Sequence, residues 1–319
     1  MQNLKYNITK VWVGVDVAKD YLDIYINPTE KSMHISNTTD GLRGLVKKLS
    51  NLNVGQIVLE SSGGYEQQAK IIFQKAGHAV WIVDPKRIKS FRESKGIKAK
   101  TDKIDAKMIA LFASQEAPSY EQSHLSDDEV RIAALTKRRC AIISMIINEK
   151  KRLQQEHDID CQRSTKRIIR NLEKEVTSID EKREALVKKN VVIQKKADIM
   201  QTMVGVGQTT AYSLLSLTPE LGKIGNKQIS SLIGVAPNTK QSGKYINHAT
   251  VGGGRSMARR ALYMAALTAS RSNPSLRNFY NKLRAKGKSP KKALVAVMRK
   301  MIVTLNAMLR KEETWVNYA

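Results

Sequence analysis

Only two cysteines, Cys140 and Cys161, occur in 319 residues, and neither stands at metal-ligand spacing from the five scattered histidines. That count excludes a zinc finger and a disulfide scaffold. No apolar run approaches the ~20 residues that a membrane helix needs. The first residues, Met1-Gln2-Asn3-Leu4-Lys5, lack the apolar core of a signal peptide. These absences lead to the expectation of a cytoplasmic protein with no membrane partner. Acid is scarce in one place: residues 196–319 hold 20 Lys and Arg against four Asp and Glu. Residues 1–115 hold 18 against 11, and residues 116–195 hold 17 against 14. The net charge of +26 points to a polyanionic partner, and its concentration in the last third points to a phosphate-binding surface there. A basic surface that serves solubility is the plainer alternative. The hydrophobic share, 41%, supports folded cores, and the length suits two domains or one with a large appendage.

Val11, Val13 and Val15 alternate with Trp12, Gly14 and Asp16, the period of a strand. Leu22, Ile24 and Ile26 alternate with Asp23 and Tyr25 in a second strand, and Ser32–Ile35 reads as a third. Leu42, Leu45, Val46 and Leu49 have helical spacing behind the possible caps Asn37 to Asp40. Gln56–Glu60 is a short buried strand that ends on an acid. A helix from about Tyr65 to Ala76 and a strand Ala79–Val83 follow, the strand terminated by Asp84-Pro85. A basic stretch, Lys86 to Lys100, then leads to a helix that starts near Thr101, with Ile104, Met108, Leu111 and Phe112 on one side. Together these elements predict a mixed α/β sheet.

From Ser126 to about Lys196 the chain lacks glycine and proline and is dense in charge. Ser126-Asp127-Asp128-Glu129 is a capping-box start. The apolar periodicity behind it predicts two long helices in an antiparallel hairpin or coiled coil, broken near His157–Ser164. A spacer or dimerisation arm is the expected role. Beyond about Ile199, turns at Gly205-Val206-Gly207, Pro219 and Pro237 separate short helices, and longer helices are expected over Ser256–Ser270 and Lys291–Leu309.

Asp16 and Glu60 each end a strand, and a carboxylate in a sheet is costly without a cation or hydrogen-bond donors. If those strands are adjacent and parallel, both acids emerge at one edge. Asp102 and Asp105, three residues apart at a helix start, share a face. Four carboxylates from three elements suit Mg²⁺, with Mn²⁺ as the alternative, and two-metal phosphodiester chemistry. The plain alternative for Asp102 and Asp105 is a favourable place at a helix N-terminus. Val204-Gly205-Val206-Gly207 has the form of a helix-hairpin-helix turn, which would let N–H groups reach a phosphate, and equally that of an ordinary tight turn. Ser242, before Gly243 and Lys244, is by local pattern a turn residue or an exposed nucleophile. Arg255, Arg259 and Arg260 suit phosphate clamping, with Lys244 beside the serine as a further contact. Lys282, Arg284, Lys286, Lys288, Lys291 and Lys292 extend the basic footprint.

Gly14-Val15-Asp16-Val17-Ala18-Lys19, Glu60 with Ser61-Ser62-Gly63-Gly64-Tyr65, and Lys100-Thr101-Asp102-Lys103-Ile104-Asp105-Ala106 resemble the DEDD-type transposases of the insertion sequence 110 family. Val204-Gly205-Val206-Gly207, Gly234-Val235-Ala236-Pro237, Ser242-Gly243-Lys244 and Arg259-Arg260-Ala261-Leu262-Tyr263-Met264 are similar to that family's second domain. The resemblance implies an α/β RNase H-like (RuvC-like) N-terminal domain over 1–120. It implies a helical coiled-coil linker or oligomerisation arm over 121–196, and a mainly α-helical C-terminal transposase domain over 197–319. Asp16, Glu60, Asp102 and Asp105 become its metal-binding catalytic quartet. Ser242 becomes a nucleophile that forms a 5′-phosphoserine DNA intermediate, activated by a metal-carboxylate site. Donor and target DNA, a structured guide or bridge RNA, and a homo-oligomer, dimer or tetramer, are the implied partners. A site-specific DNA invertase of the same family and a RuvC-like junction nuclease without a protein nucleophile remain as alternatives.

Overall fold

The computed structural model describes residues 10–97, 99, 101–116, 126–237, 241, 242, 245, 246 and 250–316. The chain divides into two units, residues 1–124 and 125–319. In the first, the alternating sequences fold into strands β1 (Val11–Val17), β2 (Tyr21–Asn27), β3 (Lys31–Ser36), β4 (Val54–Glu60) and β5 (Val80–Val83). They form one sheet in the order β3-β2-β1-β4-β5. The β1–β2 and β2–β3 pairs are antiparallel, and β1–β4 and β4–β5 are parallel. Helices α1 (Thr39–Leu49), α2 (Glu66–Lys75), α3 (Pro85–Ser94) and α4 (Asp102–Glu116) complete the unit.

Because successive side chains in a strand point to opposite faces, the sheet has two distinct apolar layers. Val13, Val15, Leu22, Ile24, Ile57 and Leu59 pack with Leu42, Leu45, Leu49 and Phe73 of α1 and α2. On the other side, Trp12, Val58, Trp81 and Val83 pack with Ile88 of α3 and Met108, Ile109 and Phe112 of α4. Gly14 lies between Trp12 and Asp16 on this second face. A Cβ there would stand 2.3 Å from both the Ala106 carbonyl oxygen and the Ala110 nitrogen, so only glycine admits α4 at its observed depth.

The first part of the basic stretch after β5, to which the sequence reading assigned no element, is the helix α3. Asp84 accepts a hydrogen bond from the Lys86 N–H at 2.9 Å, and Pro85 occupies the first helical turn. A proline that ends a strand also starts a helix when a capping acid precedes it.

The second unit opens with α5 (Asp127–Gln155) and α6 (Ile159–Lys189), joined by residues 156–158. Ser126 and Glu129 form the capping box, and Asp158 caps α6 within the expected break. Ile142, Ile146, Ile169 and Ile179 form the seam between the two helices. Then follow α7 (Val191–Gln201), α8 (Gln208–Leu217) and α9 (Asn226–Ile233), a two-residue-per-strand hairpin of β6 (Gln241–Ser242) and β7 (Tyr245–Ile246), α10 (Ser256–Ser272), α11 (Pro274–Ala285) and α12 (Pro290–Lys311). Helix α11 escaped the sequence reading, although Asn273 caps it from the Leu276 N–H and Pro274 opens it. Its signal is the same capping-residue-then-proline pair as in α3. Among the described residues, no helix is long and apolar enough to cross a membrane.

Candidate active site

Val15 of β1 lies in register with Leu59 of the parallel neighbour β4, so Asp16 and Glu60 are the next residues at adjacent strand ends. By strand alternation both belong to the face that carries Trp12, Gly14 and Val58, which is the face covered by α4. The first turn of α4 carries Asp102 and Asp105. The Thr101 hydroxyl accepts from the Ile104 N–H at 3.3 Å and fixes where that turn begins. The four acids singled out from sequence therefore belong to one face and one end of the sheet.

Their environments differ. Asp102 is exposed, Asp16 and Glu60 are half-buried, and Asp105 is buried. Burial raises the Asp16 carboxyl to about 6, helped by repulsion from Asp105 and then Asp102; the hydrogen bond from the Val17 N–H opposes the rise only in part. Asp105 has a cation of its own: Arg92 of α3 donates Nη1–H to Oδ1 at 2.7 Å, with both side chains largely buried. Among the described residues, no three His, Cys, Asp or Glu side chains are gathered tightly enough to cage a metal ion.

Sequence reading missed the groups that support these acids. Asp23, buried on β2, is the antiparallel partner of Asp16 and a hydrogen-bond partner of His34 Nδ1 at 3.0 Å. The strand period of Asp23 with Tyr25 carried the signal. Glu66 follows the Glu60-Ser61-Ser62-Gly63-Gly64 loop and is buried. Its Oε2 accepts from the Ser62 N–H (3.1 Å), the Ser62 hydroxyl (2.9 Å) and the Gly64 N–H (2.9 Å). Burial pushes the Glu66 carboxyl upward, but donors from Gln67, its own backbone, Gly64 and Ser62 outweigh it and hold the group below the usual glutamate range. Asn37 Nδ2 donates to Ala18 O (3.0 Å) and also lies within 3.4 Å of Lys19 O and Tyr65 O. It ties the turn after Asp16 to the loop after Glu60.

In the second unit the residues chosen as phosphate contacts divide. Arg255 forks onto Glu220 at 2.5 and 2.7 Å and donates to Leu217 O at 3.0 Å. Arg259 donates to Ile233 O at 3.1 Å and to Gly253 O. Both guanidinium groups hold the glycine-rich segment against its own unit. Arg260 is exposed. Ser242 lies in β6, paired in register with Tyr245, and Lys244 lies outside the described residues. Gly205 has φ 103°, and a Cβ there would meet Ala269 of α10 at 2.6 Å, so close packing on α10 is reason enough for this glycine.

A transposase family model of the DEDD, IS110 type matches residues 13–156, and one described as transposase, IS116/IS110/IS902 family, matches residues 197–281. The chain is similar to the pilin gene-inverting proteins of Moraxella lacunata and Moraxella bovis. Each is 28% identical over 314 residues, covering 95% of this chain and 97% of the relative. It is also similar to an insertion element IS110 43.6 kDa protein of Streptomyces coelicolor, 32% identical over 149 residues, or 45% of this chain and 36% of that one. With two models of one family matching in chain order across both units, the chain belongs to the IS110 family of transposases, enzymes that cut and rejoin DNA.

Proposed function

We propose that this enzyme recombines DNA with two sets of groups, the acidic quartet Asp16, Glu60, Asp102 and Asp105 and the hydroxyl of Ser242. The observation that carries the reading is the arrival of Asp16 and Glu60 at adjacent parallel strand ends, on the face to which α4 contributes Asp102 and Asp105. The strand order and directions of the sheet support an RNase H-like, RuvC-like domain over residues 1–120. The long hairpin suits a linker or oligomerisation arm over 121–196, and residues 197–319 form the serine-bearing domain. A homodimer or tetramer and a structured guide RNA are part of the proposal, and the acid-poor last third supports a nucleic-acid partner.

The quartet fits Mg²⁺ or Mn²⁺ in donor chemistry, being all hard oxygen. The Asp16 carboxyl is raised first by burial and then by repulsion from Asp105 and Asp102, and a divalent cation would relieve the repulsion. When bound, such an ion supplies charge stabilisation to a phosphodiester under attack. The residues themselves set the electrostatics: Asp16 and Glu60 are fixed by the sheet, Asp102 and Asp105 by the first turn of α4, and Glu66 and Asn37 hold the flanking loops. In the proposed cleavage, Ser242 Oγ forms a bond to phosphorus and loses its proton to solvent. The P–O3′ bond breaks, and the departing oxygen leaves as a 3′-hydroxyl. Joining is the reverse, with an incoming 3′-hydroxyl displacing the serine. Arg260 and Lys244 contact phosphates.

The test uses labelled DNA that carries the gene's own flanks. Wild-type protein should retain label on a denaturing gel, whereas Ser242→Ala and Asp16→Asn should both lose it. Cleavage that persists in Ser242→Ala but vanishes in Asp16→Asn would replace this reading with a junction nuclease that uses water. The near-complete match to gene-inverting proteins favours segment inversion over transposition as the outcome. Sequencing the rearranged product separates them: inversion leaves the segment at its locus, and transposition does not.

A further inference from the structure

Within unit 1 a cation, Arg92, stands against the acidic cluster. Arg92 leaves an α3 surface that is otherwise lined with exposed bases (Lys86, Arg87, Lys89, Lys95) and turns inward to bond Asp105 at 2.7 Å. Its side chain is 16% exposed and that of Asp105 is 12% exposed, so the pair is shielded from the solvent that makes surface ion pairs weak. Ile88 and Phe91 of the same helix pack into the layer beneath α4, which fixes the approach of Arg92. By contrast, Asp16 is half-buried and feels three other acids, Asp105, Asp102 and Asp23.

Arg92 occupies Oδ1 of Asp105, and a divalent ion drawn to the same carboxylate would meet the like charge of the guanidinium. We infer that Arg92 is an internal counter-cation: it holds the acidic cluster together when no ion is bound, and it competes with the divalent ion for Asp105. The competition would form and break no covalent bond, and Arg92 would stay protonated throughout. Arg92 is thus a positioning residue that sets how much divalent ion the site requires.

This inference rests on the proposed metal role of the quartet, and the experiment separates the two. Full-length protein is titrated with Mn²⁺, and free Mn²⁺ is read by electron paramagnetic resonance, with no DNA present. Arg92→Gln keeps a hydrogen-bond donor and removes the charge, so it should bind Mn²⁺ on the order of tenfold more tightly, the scale of one charge-assisted hydrogen bond. It should also melt at a lower temperature than wild type in chelator, and the gap should close or reverse with Mn²⁺. If Arg92→Gln does not fold by circular dichroism, Arg92→Lys carries the test, since it keeps charge but not the fork and should bind about two- to threefold more tightly. Wild-type affinity in whichever variant folds, with Asp102→Asn still abolishing binding, overturns the role of Arg92 alone. No Mn²⁺ binding by wild type overturns both the inference and the metal site beneath it.

Discussion

Charges are arranged on opposite principles in the two units. In the second unit, buried or half-buried charge is matched: Asp180 sits between Arg139, at 2.8 and 2.9 Å, and the buried Arg183, at 2.8 Å, and Glu220 receives both arms of Arg255. In the first unit, acids gather at one end of the sheet, where Arg92 pairs with Asp105 and Asp16 is pushed up to about 6 by burial and by its acidic neighbours. Matched charge locks helices together, whereas unmatched charge is tolerated only where something else repays the repulsion. Under the proposed function, the difference separates residues that hold the fold from residues kept for chemistry.

The largest effect should come from breaking the acidic cluster. Asp16→Asn, Glu60→Gln and Asp102→Asn should each lower strand cleavage by on the order of 10³-fold or more, while circular dichroism stays near wild type and the melting temperature does not fall; the loss corresponds to about 4 kcal/mol of transition-state stabilisation. A variant that retains cleavage within tenfold would remove that acid from the site.

Neutralising an acid of the matched set should do the reverse, leaving chemistry aside and damaging the fold. Asp180→Ala leaves Arg183, 2% exposed, without its carboxylate, and Arg183 Nε has no hydrogen-bond partner as it stands. Removing one partner of a buried ion pair costs about 3–5 kcal/mol. Urea denaturation that shows under 1 kcal/mol would mean that Tyr212, whose ring lies 5.6 Å from the guanidinium, and Ser213 suffice.

How much of this was legible in sequence follows the same division. The strand alternation of Val11–Val15 fixed which side of β1 bears Asp16, and the run Ile57-Val58-Leu59 did the same for Glu60. The convergence of the acids was therefore readable from period-2 arithmetic once β1 and β4 were taken as parallel neighbours. Arg92 was not readable, because nothing in the spacing of Lys86 to Lys100 distinguishes the one base that turns inward; only the helix from Pro85 and the depth of α4 over Gly14 decide it. Arg255 and Arg259 have partners within their own unit that spacing did not reveal, for the same reason in reverse. Residues four apart on a basic helix look like a phosphate clamp until Glu220 and the Gly253 carbonyl are found against them.

That contrast gives a smaller, sharper test within the second unit. Arg260→Ala should weaken DNA binding a few-fold and reduce the slope of log affinity against log salt by about 1, with melting unchanged. Arg255→Ala should lower the melting temperature and leave the salt slope alone, since its fork is spent on Glu220. Equal loss of salt slope in both variants, read by fluorescence anisotropy across a salt series, would restore Arg255 to the DNA surface.

The smallest effect concerns the sign of a single charge on stability. The folded-state pKa of Asp16, about 6, lies above its ordinary 3.8, so the folded protein holds this proton more tightly than the unfolded chain. Asp16 therefore favours the fold fully below pH 3.8, and that contribution is lost as pH rises through 6. Asp16 is partly open to solvent, so after screening the loss is about 1 kcal/mol. With chelator present, wild type should lose about that much more stability than Asp16→Asn between pH 4.5 and pH 7.5, measured by urea denaturation at each pH. Asp16→Asn should then be the more stable protein at pH 7.5, the opposite sign to Asp180→Ala for the same loss of one negative charge. Adding Mg²⁺ at pH 7.5 should recover the difference in wild type and not in the variant. Parallel pH curves for the two proteins would place Asp16 among the matched charges, and the distinction between the units would fail at the residue on which it rests most.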